Sequence, residues 1–221
     1  MDRILRSILL PLPRLVQWYL SKKRTCRYKN LSIDVLPGVF HPGLFFSSKM
    51  LLQFVETLSI KNAIVLEIGA GTGIVSLLAT KMGAKVTATD ISQKALDNIH
   101  LNARKNNLKL DIIHSDVFEN LPITKFDFIL VNPPYYAKPP QKEEEFAWYC
   151  GEHHEYFVRF FNGISGFSTD KTQTLMVLSD VCNLSAIFKI GHDHHFEFVK
   201  LSEQSLWVDG KNYIYQIKKI A

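Results

Sequence analysis

Asn132-Pro133-Pro134-Tyr135 is the stretch whose residue types could most directly do chemistry. It follows the strand-like run Phe126-Asp127-Phe128-Ile129-Leu130-Val131, and two prolines forbid the strand from continuing, because proline brings no N–H to a ladder. Asn132 is therefore expected at a strand end, facing a cleft. Its short side chain carries one acceptor oxygen and one donor amide, which suits a site that grips a planar –NH2 group. The Asn132 oxygen and the Pro133 carbonyl could each accept one N–H bond. That would draw the nitrogen toward tetrahedral geometry and aim its lone pair at an electrophile. Tyr135 could stack on the planar acceptor. The alternative is a rigid strand-end turn with aromatic packing.

Upstream lies a glycine loop, Glu67-Ile68-Gly69-Ala70-Gly71-Thr72-Gly73. Strand, glycine loop and helix together place backbone N–H groups and a helix N-terminus beside a ligand. A dinucleotide fingerprint has the form G-x-G-x-x-G. Here the glycines run G-x-G-x-G and Ile74 holds the third dinucleotide position, which argues against a NAD-linked oxidoreductase. Asp90, at the end of the next strand, is placed to accept both hydroxyls of a ribose; its alternative is to cap local N–H groups. Asp116, just past the third strand, is placed to accept from an exocyclic adenine amine, or to form a turn. Glu67 could meet a cationic amino group, or organise the loop and the helix N-terminus.

The elements that must position these residues alternate from residue 60 onward. Ala63 to Ile68, Lys85 to Thr89, Leu110 to His114 and Phe126 to Val131 read as strands. Helices are expected from Ile74 to Met82, ended by Gly83, and from Ser92 as N-cap to about Asn106. A helix near His153 to Ile164, a strand near Thr174 to Ser179 and a short helix near Leu184 to Gly191 follow. His195 to Val199 and Tyr213 to Ile217 read as strands paired antiparallel, with Asp209-Gly210 as a turn dipeptide. The expected fold is α/β: a doubly wound, mostly parallel sheet finishing with a reversed strand.

Residues 1–37 read as a helical and basic N-terminal extension, and residues 38–221 as the domain itself. Ile4, Leu5, Ile8 and Leu9 recur at helical spacing before Pro11 and Pro13, and Lys22-Lys23-Arg24, Arg27 and Lys29 form a basic cluster. The extension fits an arm packed on the domain, a substrate- or membrane-surface-binding arm, or a signal peptide. At 221 residues and 47% apolar, the chain can bury a sizeable core. No apolar run approaches the roughly 20 residues of a membrane span. A net charge of +5 favours an anionic partner such as RNA or a ribosome-associated target. Cys26, Cys150 and Cys182 are too dispersed for a zinc site and read as reduced thiols of a cytoplasmic protein. His192, His194 and His195 lack further ligands at metal spacing. After the tetrad, Tyr136, Lys138, Lys142, Trp148 and Tyr149 would suit a base-stacking or peptide-gripping lid, although Glu143-Glu144-Glu145 weakens a phosphate-binding version.

The glycine motif, the acids after the second and third strands and the tetrad after the fourth, in that order, resemble the class I S-adenosylmethionine (SAM) methyltransferases. The resemblance covers roughly residues 38 to 221. It implies SAM as cofactor, with S-adenosylhomocysteine as product. The implied cofactor-binding set is Glu67, Gly69, Gly71, Asp90, Ile91, Asp116, Val117 and Asn132; the implied catalytic set is Asn132, Pro133 and Tyr135, with no metal. Asn-Pro-Pro-Tyr is similar to the tetrad of two groups: adenine-N6 methyltransferases acting on DNA or RNA, and glutamine-N5 methyltransferases acting on release factors. Val39-Phe40-His41-Pro42-Gly43-Leu44-Phe45-Phe46-Ser47-Ser48 resembles the aromatic-proline segment that closes over the cofactor in the glutamine group. A glutamine amide in a protein is thus the narrowly favoured acceptor, ahead of adenine in RNA or DNA. A SAM-binding module without turnover is the rival from another class.

Overall fold

The computed structural model describes residues 20–206 and 210–220. Seven strands form one sheet. They are β3 (Ile64–Ile68), β4 (Lys85–Asp90), β5 (Asp111–His114), β6 (Phe128–Val131), β7 (Gln173–Ser179), β8 (Phe196–Leu206) and β9 (Gly210–Lys219). A separate hairpin joins β1 (Arg24–Tyr28) and β2 (Leu31–Val35). The helices are α1 (Phe46–Val55), α2 (Ile74–Lys81), α3 (Gln93–Lys105), α4 (Glu155–Gly163) and α5 (Leu184–Asp193).

The strand order is β5-β4-β3-β6-β7-β9-β8. The first five strands in that order are parallel, and β9 runs antiparallel between β7 and β8. The expected doubly wound sheet with a reversed strand is therefore what the chain forms. Strands β3 and β6 are near-continuous apolar runs because both of their faces are covered. On one side lie α1, α2 and the hairpin residues Leu31, Ile33 and Val35. On the other, Phe157, Phe160 and Phe161 of α4 pack at helical spacing with Leu66, Ile129 and Met176.

The order reverses between β3 and β6, and the loops leaving their C-terminal ends diverge there to open a crevice. The register brings the chemistry to one edge. Ile68 pairs with Val131 and with Thr89, so Gly69, Asp90 and Asn132 leave three adjacent strands side by side. Sequence spacing cannot show this neighbourhood; parallel pairing creates it.

Some of the sequence reading lies outside the described residues, and one part of it differs from the structure. Residues 1–19, with the expected amphipathic helix, lie outside the described residues, as do Trp207–Asp209 and with them the first half of the expected Asp209-Gly210 turn. The rest of the extension is not helical between Arg24 and Val35 but forms the β1–β2 hairpin, whose apolar side chains join the main core. Asparagines at four-residue spacing on α3 hold it. Asn98, Asn102 and Asn106 accept from the N–H groups of Leu36, Asp34 and Ser32 at 2.9, 2.8 and 2.9 Å. They thus satisfy the outer edge of β2, which a sheet would otherwise have to pair. Asn102 also donates to the Thr72 carbonyl at 2.9 Å, tying hairpin and helix to the glycine loop.

Candidate active site

A cavity of about 750 Å³ runs along the crevice from the glycine loop to the tetrad and beyond. Every residue expected at the site lines it: Glu67, Gly69, Gly71, Asp90, Ile91, Asp116, Val117, Asn132, Pro133 and Tyr135. Gly69, Gly71 and Gly73 all have positive φ. At Gly73 the need for glycine is also steric, because a Cβ there would stand 2.9 Å from the Ile99 side chain of α3.

The three carboxylates are already engaged with the protein. Asp90 accepts from the Gly71 and Ser92 N–H groups at 2.8 and 2.9 Å, one on each oxygen. Burial pushes its carboxyl pKa up, and those two N–H groups oppose the shift. Each oxygen keeps a further acceptor site, so capping the loop and receiving ribose hydroxyls are compatible. Asp116 faces Arg159 of α4, with the guanidinium Nε 3.2 and 3.1 Å from its two oxygens. Val117 beside it has φ +53°. That is a strained backbone for a β-branched residue, of the kind that concentrates at ligand sites.

Glu67 accepts on one oxygen from both the N–H and the hydroxyl of Ser76 in α2. It is 5% exposed, and burial pushes its pKa up to about 8 against the Ser76 bonds. The loop-organising alternative is therefore realised, and the carboxyl is left poised to ionise beside a cation. Because the folded pKa lies above the ordinary 4.5, the unfolded chain ionises first. Stability is accordingly expected to fall as pH rises from about 4.5 toward 8, by on the order of 4 kcal/mol. Glu67→Gln should flatten that slope in denaturant titrations; an unchanged slope would exclude Glu67 as its source.

Asn132 is held from two sides. The Tyr135 hydroxyl donates to its Oδ1 at 2.6 Å, and its Nδ2 lies 3.4 Å from the hydroxyls of Ser47 and Ser48 at the start of α1. Tyr135, expected to stack on an acceptor, thus has its hydroxyl turned to Asn132 and its ring partly buried against the aromatic core. Oδ1 retains a second lone pair for an incoming N–H.

The segment after the tetrad folds back over the cavity. The Trp148 carbonyl accepts from the Tyr135 and Tyr136 N–H groups at 3.1 and 2.9 Å. The Trp148 ring packs at 5.0 and 4.9 Å on Phe40 and Phe45, so the aromatic-proline segment and the lid meet. Both Trp148 and Tyr149 line the cavity. Glu143 accepts from the Ser92 hydroxyl at 2.7 Å, and Glu144 pairs with Lys94 at 2.8 Å. The acidic run therefore latches the lid to the start of α3. Ser47, Ser48, Tyr156 and Arg159 were not singled out from sequence. The two serines sit inside the aromatic-proline segment, but the other two have no local signal.

A model of the methyltransferase small domain matches residues 30–148, more than half of the chain. The chain belongs to the methyltransferase small-domain family. Among its relatives, a putative protein N5-glutamine methyltransferase of Methanocaldococcus jannaschii is 36% identical over 53% of this chain and 56% of the relative. The ribosomal RNA small subunit methyltransferase C of Haemophilus influenzae is 35% identical over 49% of this chain and 33% of the relative. The matched region thus spans about half or less of these relatives' lengths. A methyltransferase structure from Pyrococcus furiosus shares the fold with TM-score 0.64 and 20% identity, over 99% of this chain and 97% of that one. Membership in a methyltransferase family supports SAM as the cofactor. The residues present also suit it: carboxylates stand at the ends of β3 and β4 and just past β5, and the cavity extends without interruption to Asn132.

Proposed function

We propose that the protein is a SAM-dependent N-methyltransferase whose acceptor is the side-chain amide of a glutamine in a protein. When bound, SAM supplies an electrophilic methyl group on a sulfonium. Asn132 Oδ1 and the Pro133 carbonyl hold the two N–H bonds of the acceptor and aim its lone pair, and Tyr135 keeps Asn132 in that orientation. Asp90 receives the ribose hydroxyls, Asp116 the adenine amine, and Glu67 faces the cationic amino-acid end. Gly69 and Gly71 let the backbone approach closely, and Ile91 and Val117 bound the nucleoside.

The charge of the cavity lining carries the choice of acceptor. Among the described residues, seven carboxylates line the cavity and Arg159, paired with Asp116, is its one basic side chain. Four of the seven, Glu143, Glu144, Glu152 and Glu155, belong to the lid and the α4 approach. Glu144 is paired with Lys94 and Asp116 with Arg159; a phosphate backbone is bound by arrays of Lys and Arg, which this lining does not offer, so the entrance favours a neutral or cationic peptide over nucleic acid. The net charge of +5 therefore resides elsewhere.

The second reading is methylation of a base amine, adenine N6, in RNA or DNA; the similarity to the Haemophilus ribosomal RNA enzyme supports RNA as the acceptor and names no base. No helix among the described residues is long and apolar enough to cross a membrane. A cytoplasmic, translation-associated protein substrate fits the reading. Incubating the enzyme with cell extract and tritiated SAM should produce a labelled band that protease removes and nuclease leaves. Label lost to nuclease instead would transfer the assignment to RNA or DNA, and no label at all would favour a binding module.

A further inference from the structure

The cavity continues past the tetrad to a polar end that neither the cofactor residues nor the accepting nitrogen employ. Asn212 on β9 and its register partner Ser179 on β7 both line it there. The Ser179 hydroxyl is committed to the Lys211 carbonyl at 3.1 Å. Asn212 is 3% exposed, and its Nδ2 has no hydrogen-bond partner. A buried amide N–H left unpaired has lost its hydration without replacement, and such groups in folded proteins call for a reason. Asn212 also lines the cavity, so a small turn of its side chain would bring this N–H to a ligand oxygen that completes it.

We propose that Asn212 anchors the acceptor, donating to a main-chain carbonyl of the peptide that carries the reacting glutamine. The inference rests on the protein-glutamine reading above. Asn132 follows β6, and β6, β7 and β9 are successive neighbours; two strand spacings across and a two-residue offset along the strands separate the two asparagines by about 12 Å. From a glutamine side-chain nitrogen to its own main-chain carbonyl oxygen is about 6 to 7 Å, from bonds near 1.5 Å. Hydrogen bonds of about 3 Å at either end make up a span of that order. Adenine's ring acceptors lie two to four bonds from its amino nitrogen, within about 4 Å on a rigid ring, and fall short of Asn212. Val181, which also lines the cavity, is 37% exposed; the cavity opens beside Asn212, where the rest of a peptide can leave.

The test compares two acceptors: glutamine blocked by acetyl and methylamide groups, and butyramide, which has the side-chain amide without main-chain carbonyls. The parent enzyme should prefer blocked glutamine. Asn212→Leu, close in volume, should shrink that preference about tenfold through the KM for blocked glutamine, with SAM affinity and Tm no lower than in the parent. A preference that survives the substitution overturns the anchor and leaves the glutamine reading standing. So does a loss that falls equally on both acceptors or comes with a lowered Tm, since either marks a structural role. If the parent methylates neither compound, the glutamine reading fails and the anchor fails with it.

Discussion

Asn132→Ala should lower methyl transfer by about 10²- to 10³-fold, the range found when one preorganised polar group is removed from a reacting centre, while SAM binds with the parent's affinity. The separation of effects follows from where Asn132 sits. It leaves β6 beside the glycine loop, yet the loop's hydrogen bonds among the described residues run to Asp90, Thr89 and Asn102 and not to Asn132. Its partners are Tyr135, Ser47 and Ser48. Tyr135→Phe keeps the acceptor oxygen and removes only its 2.6 Å tether, so a loss of about tenfold is expected. Calorimetry with SAM and single-turnover transfer distinguish the steps. Substantial turnover in Asn132→Ala would remove the tetrad from the reaction.

Asp90→Ala should weaken SAM by about 10²- to 10⁴-fold, since two charge-assisted bonds to the ribose disappear together. The same carboxylate also accepts from Gly71 and Ser92, so the variant loosens the loop as well as losing ligand contacts. A double-mutant cycle separates the two. A SAM analogue lacking a ribose hydroxyl should bind the parent more weakly than SAM does, and Asp90→Ala should no longer tell the two ligands apart. If the variant still discriminates between them, Asp90 serves the loop alone.

The legibility of this chain follows the range of the interactions. Strands β3 and β6 announced themselves as short apolar runs, and α2 and α3 by helical periodicity with Gly83 and the Ser92 cap at their ends. Asp90, Asp116 and Asn132, expected at or just past strand ends, do stand there and line the cavity, because that placement follows from local patterns. Residues whose role depends on a partner far along the chain could not be found in advance. Arg159 meets Asp116 across 43 residues, and Asn132 meets Ser47 across 85. Asn98, Asn102 and Asn106 stand at visible four-residue spacing, but the edge of β2 that they cover lies more than 60 residues upstream. The basic character of Arg24 to Lys29 concealed a strand, because β1 is half-exposed and its charges hide the alternation.

By itself, then, the sequence determined the class of fold, the order of the motifs and the placement of the Asn132 amide group at a strand end, because these rest on local periodicity and on prolines that stop a strand. Only the tertiary structure decided how charge is distributed around that group. Pairing β3 with β4 and β6 aligned the three strand ends, the segment after the tetrad brought Glu143 and Glu144 to the cavity lining, and β9 placed Asn212 on the cavity wall. Such arrangements depend on contacts between residues tens of positions apart, and no local pattern in the chain encodes them.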